Sequence, residues 1–189
     1  MPPRDAQNSI LVVSATPRIS EQLAAFLPPA QYALHACGGC GEARRALMRT
    51  DYDILLINTP LPDSFGIELA LDRVQKSSGG VILLLNADRY PDIAAKVEGY
   101  GVLAVEKPIN RSFLYTVIRL CAATRARLRA ADKSNATLAA KMDEIRVVNR
   151  AKCVLIQTRG LTEEQAHRSI EKQAMDMRLT KREIAEAII

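Results

Sequence analysis

Histidine and cysteine are scarce in this sequence, with two and four copies, and two of the cysteines form a Cys-X-X-Cys motif. Cys37 and Cys40 flank two glycines, and His35 lies two residues before the first thiol. Such a pair suits a redox-active dithiol or one half of a zinc site. Zinc needs two further ligands, and no second Cys-X-X-Cys or His-X-X-X-His supplies them. We therefore expect a glycine-rich loop with two incidental thiols, and a redox pair is the alternative.

Other catalytic options are equally sparse. His35 and His167 are the only histidines, and no Ser/His/Asp arrangement or phosphate-binding glycine loop occurs. We expect no enzymatic activity, no cofactor and no resident metal. Four scattered cysteines do not make a disulfide framework. No apolar run approaches the roughly 20 residues of a membrane span, and no secretory signal is present, so we expect a cytoplasmic protein.

The positive charge of the chain is concentrated in its last third. Residues 1–120 hold 12 Lys and Arg against 12 Asp and Glu, whereas residues 121–189 hold 14 against 9. Such asymmetry is typical of a nucleic-acid partner, although basic side chains also pair with neighbouring acids such as Glu164, Glu171 and Asp176. The candidate phosphate-binding residues are Arg146, Arg150, Lys152, Arg168, Lys172, Arg178, Lys181 and Arg182.

The first two-thirds of the chain alternates strand-like and helix-like segments. The continuous apolar runs at 10–13, 54–57 and 81–85 predict strands buried on both faces, as in a parallel sheet covered by helices. Helical patterns at 43–48 and 67–74 connect them, and 102–105 reads as the last strand. We predict an α/β fold of five βα units, a flavodoxin-like doubly wound sheet over residues 1–120.

A long helical segment follows, because neither proline nor glycine occurs between Pro108 and Gly160. A heptad with Val117 at d and Cys121 at a predicts a coiled-coil linker over residues 121–142 and a homodimer. An asparagine at an a position favours a parallel two-stranded register. A helix that packs back on its own domain is the alternative. The predicted dimerisation residues are Leu128, Asn135, Leu138, Met142 and Ile145.

The last forty residues predict a small three-helix bundle, residues 143–189. Gly160 ends the long helix, and two capping boxes start the next two helices, at Thr162 and at Thr180. Leu179 with Ile184 occupies the positions of a hydrophobic staple. The apolar positions of these helices are Ala166, Ile170, Ala174, Met177, Ile184, Ala185 and Ile188.

The order and spacing of residues 9–120 resemble the receiver domain of two-component response regulators. The run 10–17 resembles the first strand and its acidic loop, and 53–58 resembles the third strand that ends at the phosphoacceptor aspartate. Leu61, Pro62 and Gly66 follow at the family's spacing, and Lys107 precedes a proline as the family's lysine does.

The resemblance implies a phosphorylation site that this chain lacks. Ser14 and Ala15 stand for the acidic pair that holds Mg²⁺, and Asn58 stands for the nucleophile. Asn86 replaces the hydroxyl residue, and only Lys107 remains. An amide cannot form an acyl phosphate, and a hard divalent cation has no anionic ligands here. We predict a degenerate pseudo-receiver that is not phosphorylated.

The C-terminal region resembles the ANTAR domain, an RNA-binding antitermination module. The resemblance lies in the run 149–156, in Gly160, in Glu164 and Ala166, in Ala174-Met175 and in Ile184-Ala185. Cys153 replaces the family's glycine, and Ile156 replaces its methionine. The absence of aromatic residues after Tyr115 also argues against an aromatic stacking platform for RNA.

Taken together, these features predict a dimeric regulator that binds hairpin-containing leader RNA and prevents transcription termination. Its receiver-like domain would be controlled by a sensor or inhibitor protein, by an unidentified ligand or by expression level. The alternatives are a DNA-binding regulator with a helix-turn-helix formed by its last two helices, and an interaction scaffold that binds no nucleic acid.

Overall fold

In a computed structural model, which describes residues 7–189, the N-terminal unit is a five-stranded parallel sheet with helices on both faces. Its strands are β1 (Asn8–Ser14), β2 (Tyr32–Cys37), β3 (Ile54–Asn58), β4 (Gly80–Asn86) and β5 (Val102–Lys107). The strand order is β2-β1-β3-β4-β5, so the chain reverses direction across the sheet after β2. The predicted doubly wound α/β fold is confirmed.

Helices occupy both faces of this sheet. They are α1 (Arg18–Ala24), α2 (Cys40–Arg49), α3 (Ile67–Lys76), α4 (Tyr90–Val97) and the long α5 (Arg111–Arg159). Side chains alternate along each buried strand, so Leu55 joins the core against α2, α3 and α4, while Leu56 joins the core against α1 and α5. The three apolar runs are buried along their whole length because alternate side chains pack into the two cores on opposite faces of the sheet.

The second strand is the one that the hydrophobicity pattern does not predict. β2 lies at the edge of the sheet, and its His35 and Ala36 are exposed. An edge strand with exposed residues has no continuous apolar run, so its position does not follow from hydrophobicity. Cys37 ends β2 and Cys40 begins α2, which places the two glycines in the loop between them.

The long helix α5 is continuous over 49 residues, as predicted from the absence of proline and glycine. Its first part packs on the sheet: Ile118 and Cys121 are buried in the core that α1 shares. The prediction that Val117 and Cys121 belong to a coiled-coil seam is therefore wrong. Here the alternative of a helix that packs back on its own domain is correct, because these side chains complete a core of the N-terminal unit.

The chain divides into two compact units, one ending at Arg129 and the other comprising Ala130–Ile189. In the second unit the end of α5 packs with α6 (Glu163–Met177) and α7 (Lys181–Ile188). The core of this bundle is small and contains Val148, Ala151, Leu155, Ala166, Ile170, Ala174, Ile184 and Ala185.

The helix ends of the second unit follow the predicted signals. Both capping boxes form, with the Thr162 hydroxyl accepting from the backbone of Gln165 and the Thr180 hydroxyl accepting from that of Glu183. Gly160 adopts a positive φ of 62° directly after α5. One of the predicted apolar positions is not buried. Met177 is 61% exposed, because it lies at the last turn of α6, beyond the small core. None of the described helices is long and apolar enough to cross a membrane.

Candidate functional site

The residues that take the place of the receiver's reactive groups meet at the carboxyl ends of the strands. The Lys107 ammonium donates to Asn58 Oδ1 over 3.2 Å, and Asn58 Nδ2 donates to Ser14 Oγ over 3.1 Å. Lys107 also donates to the backbone carbonyl of Thr59. We call Ser14, Asn58 and Lys107 the amide site. It holds one cation, one amide and one hydroxyl in a single hydrogen-bonded chain.

The amide site contains no acid. Among residues 7–189 no carboxylate forms an ion pair with Lys107, and burial lowers the pKa of its ammonium. Ala15 is exposed in the loop after β1, and Asn86 is exposed at the end of β4, outside the hydrogen-bonded chain. No cluster of three or more His, Cys, Asp or Glu residues with the arrangement of a metal site occurs in the described part of the chain. The positive charge of Lys107 is therefore not neutralised locally.

Asp63, an acid of the loop after β3, lies outside the amide site. Its two carboxylate oxygens accept hydrogen bonds from the backbone N–H groups of Cys40 and Gly41, each over 2.9 Å, at the start of α2. These bonds hold the pKa of Asp63 below its ordinary value. A Cβ on Gly39 would approach this carboxylate to 2.9 Å, so glycine leaves room for it. The Cys-X-X-Cys segment is thus a helix N-terminus capped from a distant loop.

The cap predicts a pH-dependent contribution to stability. Asp63→Ala is expected to lower the thermal midpoint of the N-terminal unit by a few degrees at pH 7. A carboxyl with a depressed pKa in the folded state stabilises above its unfolded pKa of about 3.9, and the effect disappears as the pH falls through the folded pKa. All five tyrosines lie in this unit and no tryptophan is present, so tyrosine fluorescence reports its unfolding alone.

The matched control for this prediction is Asp88→Ala, because Asp88 is a highly exposed acid whose only ion pair within residues 7–189 is a 3.8 Å contact with its neighbour Arg89. It should leave the midpoint unchanged at both pH values. A loss in Asp63→Ala that persists undiminished at pH 3 would contradict the capping role of the ionised carboxylate.

The two thiols themselves are buried and free. Cys40 Sγ lies 3.1 Å from Ser64 Oγ, and burial raises the pKa of Cys37. A raised pKa reduces the thiolate fraction, which is the reactive form of cysteine. His35 stacks edge-on against Tyr52, with ring centroids 5.2 Å apart, and belongs to that packing contact.

A charged cluster at the opposite end of the sheet was not predicted from the sequence. We call it the anchor cluster, and it consists of Asp51, Asp53, Arg73, Arg125 and Arg129. Arg125 of α5 is only 3% exposed and forms ion pairs with both acids, which lie just before β3. Asp53 also accepts from the backbone and hydroxyl of Ser9, each over 2.7 Å. The cluster therefore fixes α5 to β1 and β3.

The arginines of the anchor cluster stabilise the ionised form of its acids. Burial raises the pKa of Asp51, but hydrogen bonds from Arg73 and Ser77 and the charges of Arg73 and Arg125 outweigh this effect, and the pKa is lowered. The signal in the sequence was the spacing of Arg125 and Arg129, four residues apart on one helix face.

The predicted basic surface divides into paired and unpaired residues. Four of its eight members form ion pairs inside the C-terminal unit: Lys152 with Glu163, Arg168 with Glu164, Lys181 with Glu171 and Arg182 with Asp143 and Glu186. His167 lies 3.3 Å from the same Glu171 carboxylate. The other four candidates, Arg146, Arg150, Lys172 and Arg178, are exposed and form no ion pair within residues 7–189, and we call them the unpaired basic set.

A groove of about 420 Å³ between α5, α6 and α7 brings further cations together. Lys141, Lys152, Lys181 and His167 line it, and Glu144 is its only acid among the described residues. Lys141 was absent from the sequence-based candidates, because its surroundings depend on the packing of α7 near α5. Arg146 and Arg150 lie on the face of α5 opposite the buried Val148, Ala151 and Leu155.

The predicted dimerisation residues form an exposed stripe on α5. Leu128, Leu138, Met142 and Ile145 are between 49% and 59% exposed, and Asn135 is exposed among them. From Asn135 to Ile145 their spacing alternates between three and four residues, and Leu128 lies one heptad before Asn135. Large apolar side chains at a and d positions, left in water along one helix face, are typical of a helix that associates with another helix.

The C-terminal region is similar to a known protein domain. The ANTAR domain model matches residues 136–189, the end of α5 together with α6 and α7. Residues 136–189 form an ANTAR domain. Its match begins six residues after the boundary between the two compact units, within the same helix.

A known regulator is similar to most of the chain. The transcriptional regulatory protein PdtaR of two Mycobacterium tuberculosis strains is 26% identical to the chain over 156 residues, covering 80% of the chain and 76% of PdtaR. The N-terminal unit has the fold of solved receiver domains. That of an HD domain-containing protein from Pseudomonas fluorescens Pf-5 matches with a TM-score of 0.60 and 24% identity, over 69% of this chain and 96% of that one.

A second receiver structure gives the same result for the fold. The chemotaxis response regulator CheY4 of Vibrio cholerae matches with a TM-score of 0.53 and 17% identity, over 61% of this chain and 99% of that one. The chain therefore combines a receiver-type unit with an ANTAR domain and is homologous to PdtaR.

Proposed function

We propose that this protein is a transcription antitermination regulator that binds hairpin-containing leader RNA as a dimer, and that its receiver-like unit is not controlled by aspartyl phosphorylation. The ANTAR match over 136–189 carries the RNA-binding part of the proposal. The unpaired basic set supports it, because four exposed cations without local counterions are available to phosphates. DNA binding through α7 is less well supported: this helix has eight residues, and its Ile184 and Ala185 are committed to the core.

The phosphorylation part rests on the amide site. Asn58 stands at the acceptor position and is already hydrogen-bonded to Ser14 and Lys107. Incubation with acetyl phosphate and Mg²⁺ should therefore add no phosphoryl mass to the intact chain, while a receiver with an aspartate acceptor treated in parallel gains it. The input has to be of another kind, and a sensor or inhibitor protein bound at the receiver-like unit is the one we favour.

The decisive test of RNA binding compares a stem-loop RNA with a duplex DNA of matched length at several salt concentrations. We expect tighter binding to the RNA and an affinity that falls steeply with salt. Changing the unpaired basic set together to glutamine should weaken binding at least about tenfold and reduce the salt slope by about two to four, roughly one per phosphate contact removed.

The control variant removes the same charge elsewhere. Arg45, Arg49, Lys76 and Lys96 are exposed residues of the receiver-type unit without ion pairs in residues 7–189, and their joint change to glutamine should leave RNA affinity nearly unchanged. Equal losses in both variants would show that net charge alone drives binding. Equal affinity for RNA and DNA would favour the DNA-binding alternative, and no binding at low salt would favour the scaffold.

The parallel register of the dimer has its own test. A parallel coiled coil places Asn135 opposite its counterpart, so Asn135→Cys in a Cys153→Ser background should form an intermolecular disulfide under mild oxidation. Cys153 is the one exposed thiol among the four cysteines, and its replacement removes the competing reaction. Two further single variants, Leu128→Cys and Ile145→Cys, test the antiparallel arrangement. A cross-link that forms only when these two variants are mixed would indicate that the helices are antiparallel.

A further inference from the structure

A groove in the receiver-type unit lies beside the amide site. It has a volume of about 620 Å³ and is bounded by α1, by the loop between β5 and α5, and by the first turn of α5. This volume is in the range of small-molecule sites. Asn58 and Lys107 are among its lining residues, so the groove adjoins the place where the receiver chemistry is missing.

The charge of this groove is of one sign. Arg18, Lys107 and Arg111 line it, and none of the described residues in its wall is Asp or Glu. Within residues 7–189 none of these three cations has an ion pair. Arg111 donates a hydrogen bond to the carbonyl of Ala25 over 3.4 Å, and its guanidinium lies over the face of Phe26, 5.1 Å from the ring centroid. Three cations around one concave surface without a counterion attract an anion.

The remaining wall is largely apolar. Ile19 and Phe26 of the α1 side face Ile109 and Leu114 of the α5 side. Gln22 and Asn110 add neutral hydrogen-bonding groups at the wall. A purely inorganic anion would leave the apolar surface in water, whereas an anion with an apolar group would cover it.

We propose that this groove binds a small organic anion, a carboxylate or a phosphate ester, whose charged group contacts Lys107 with Arg18 or Arg111 and whose apolar part packs between Ile19, Phe26, Ile109 and Leu114. Binding is non-covalent, since Asn58 offers no nucleophile. Because Arg111 and Leu114 belong to α5, the ligand contacts the same helix that continues into the ANTAR domain. The proposal does not depend on RNA binding.

The test is calorimetric titration of the full chain with a set of small probes. Phenyl phosphate and phenylacetate represent the two anion types; inorganic phosphate lacks the apolar group, benzyl alcohol lacks the charge, and benzylamine reverses it. We expect at least one aromatic anion to bind about tenfold or more tightly than these three probes. The two anions distinguish a phosphate ester from a carboxylate ligand.

Variants locate the binding. Lys107→Met should weaken binding of the preferred anion about tenfold or more, and the exposed Arg18→Gln and Arg111→Gln, which leave the amide site intact, should each weaken it several-fold. Arg45→Gln on α2, at the other face of the sheet, is the matched control and should bind as the unaltered chain does.

Each opposite result overturns the proposal. Benzyl alcohol or inorganic phosphate bound as tightly as the aromatic anions would show that charge and apolar contact do not act together. Unchanged binding in both arginine variants and Lys107→Met would place the ligand elsewhere. No heat with either aromatic anion at millimolar concentration would show that the groove is not a ligand site, whatever the result of the RNA titration.

Discussion

Replacing Arg125 with alanine is expected to lower the free energy of unfolding of the receiver-type unit by about 3 kcal/mol, the usual loss when one partner of a buried ion pair is removed. Arg125 is 3% exposed and pairs with Asp51 and Asp53 of the anchor cluster. Without the guanidinium, the carboxylate of Asp53, itself only 12% exposed, loses a partner in an environment with little water. Urea unfolding followed by tyrosine fluorescence measures the loss in this unit alone.

Arg129→Ala is the matched control for this result. Its guanidinium lies 3.2 Å from the same Asp53 oxygen, but Arg129 is 52% exposed, and exposed pairs contribute at most about 1 kcal/mol. Equal losses in the two variants would contradict the role given to burial.

A double-mutant cycle separates the ion pair from simple loss of packing. Arg125→Met keeps most of the side-chain volume, and Asp53→Asn keeps the hydrogen bonds from Ser9 within reach. If the two charges compensate each other, the double variant should be less destabilised than the sum of the single ones, by about 2 kcal/mol. The Nε atoms of Arg73 and Arg125 have no hydrogen-bond partner, so the cluster is not a perfectly satisfied network. Additive losses would mean that Arg125 acts only through its packing.

The anchor cluster also illustrates what could not be predicted from the sequence. Asp51 and Asp53 lie more than seventy positions before Arg125 along the chain, and only the pairing of β1 with β3 and the packing of α5 bring them together. Local sequence patterns contain no information about contacts between residues so far apart along the chain. The apolar runs of β1, β3 and β4 could be predicted because burial on both faces leaves a signal within each strand itself.

The predicted start of the coiled coil was wrong for a related physical reason. A heptad and a helix that covers a sheet both place apolar residues three and four positions apart, so Cys121 fits either pattern. Packing decides between them: the Sγ of Cys121 occupies the space that a Cβ of Gly80 would need, so this turn of α5 packs directly on β4. Beyond Arg129 the same spacing continues with exposed side chains, and there the sequence pattern alone supports association.

The basic surface was only partly predictable. Residue type and spacing identified eight cations, and most of their acidic neighbours lie in the same stretch of sequence, but which cation pairs with which acid depends on the bundle. Arg182 reaches Asp143, almost forty positions away, because α7 packs near α5. The unpaired basic set is therefore a structural refinement of a sequence-based candidate list.

Leu138→Asp combined with Met142→Asp should convert the proposed dimer into a monomer. Both side chains are more than half exposed and occupy d and a positions of the heptad. Burial of one such side chain contributes about 1.5 to 3 kcal/mol, and the double change removes four of them from a two-stranded seam while it introduces four like charges. Since 1.4 kcal/mol is tenfold in affinity, the dissociation constant should rise by about a thousandfold or more. Sedimentation equilibrium measures this change directly.

The control for this change lies on the same helix turns. Ala136 and Ala140 are exposed at outer heptad positions, so Ala136→Asp with Ala140→Asp adds the same charge opposite the seam and should leave the dimer intact. If a leader RNA engages both ANTAR domains at once, loss of the dimer also removes the effective concentration of the second domain, and RNA affinity should fall by about a hundredfold or more for a two-hairpin RNA but not for a single hairpin. A monomeric seam variant that still binds the two-hairpin RNA with full affinity would show that each ANTAR domain acts alone. A seam variant that remains dimeric would place the interface elsewhere than on the exposed stripe of α5.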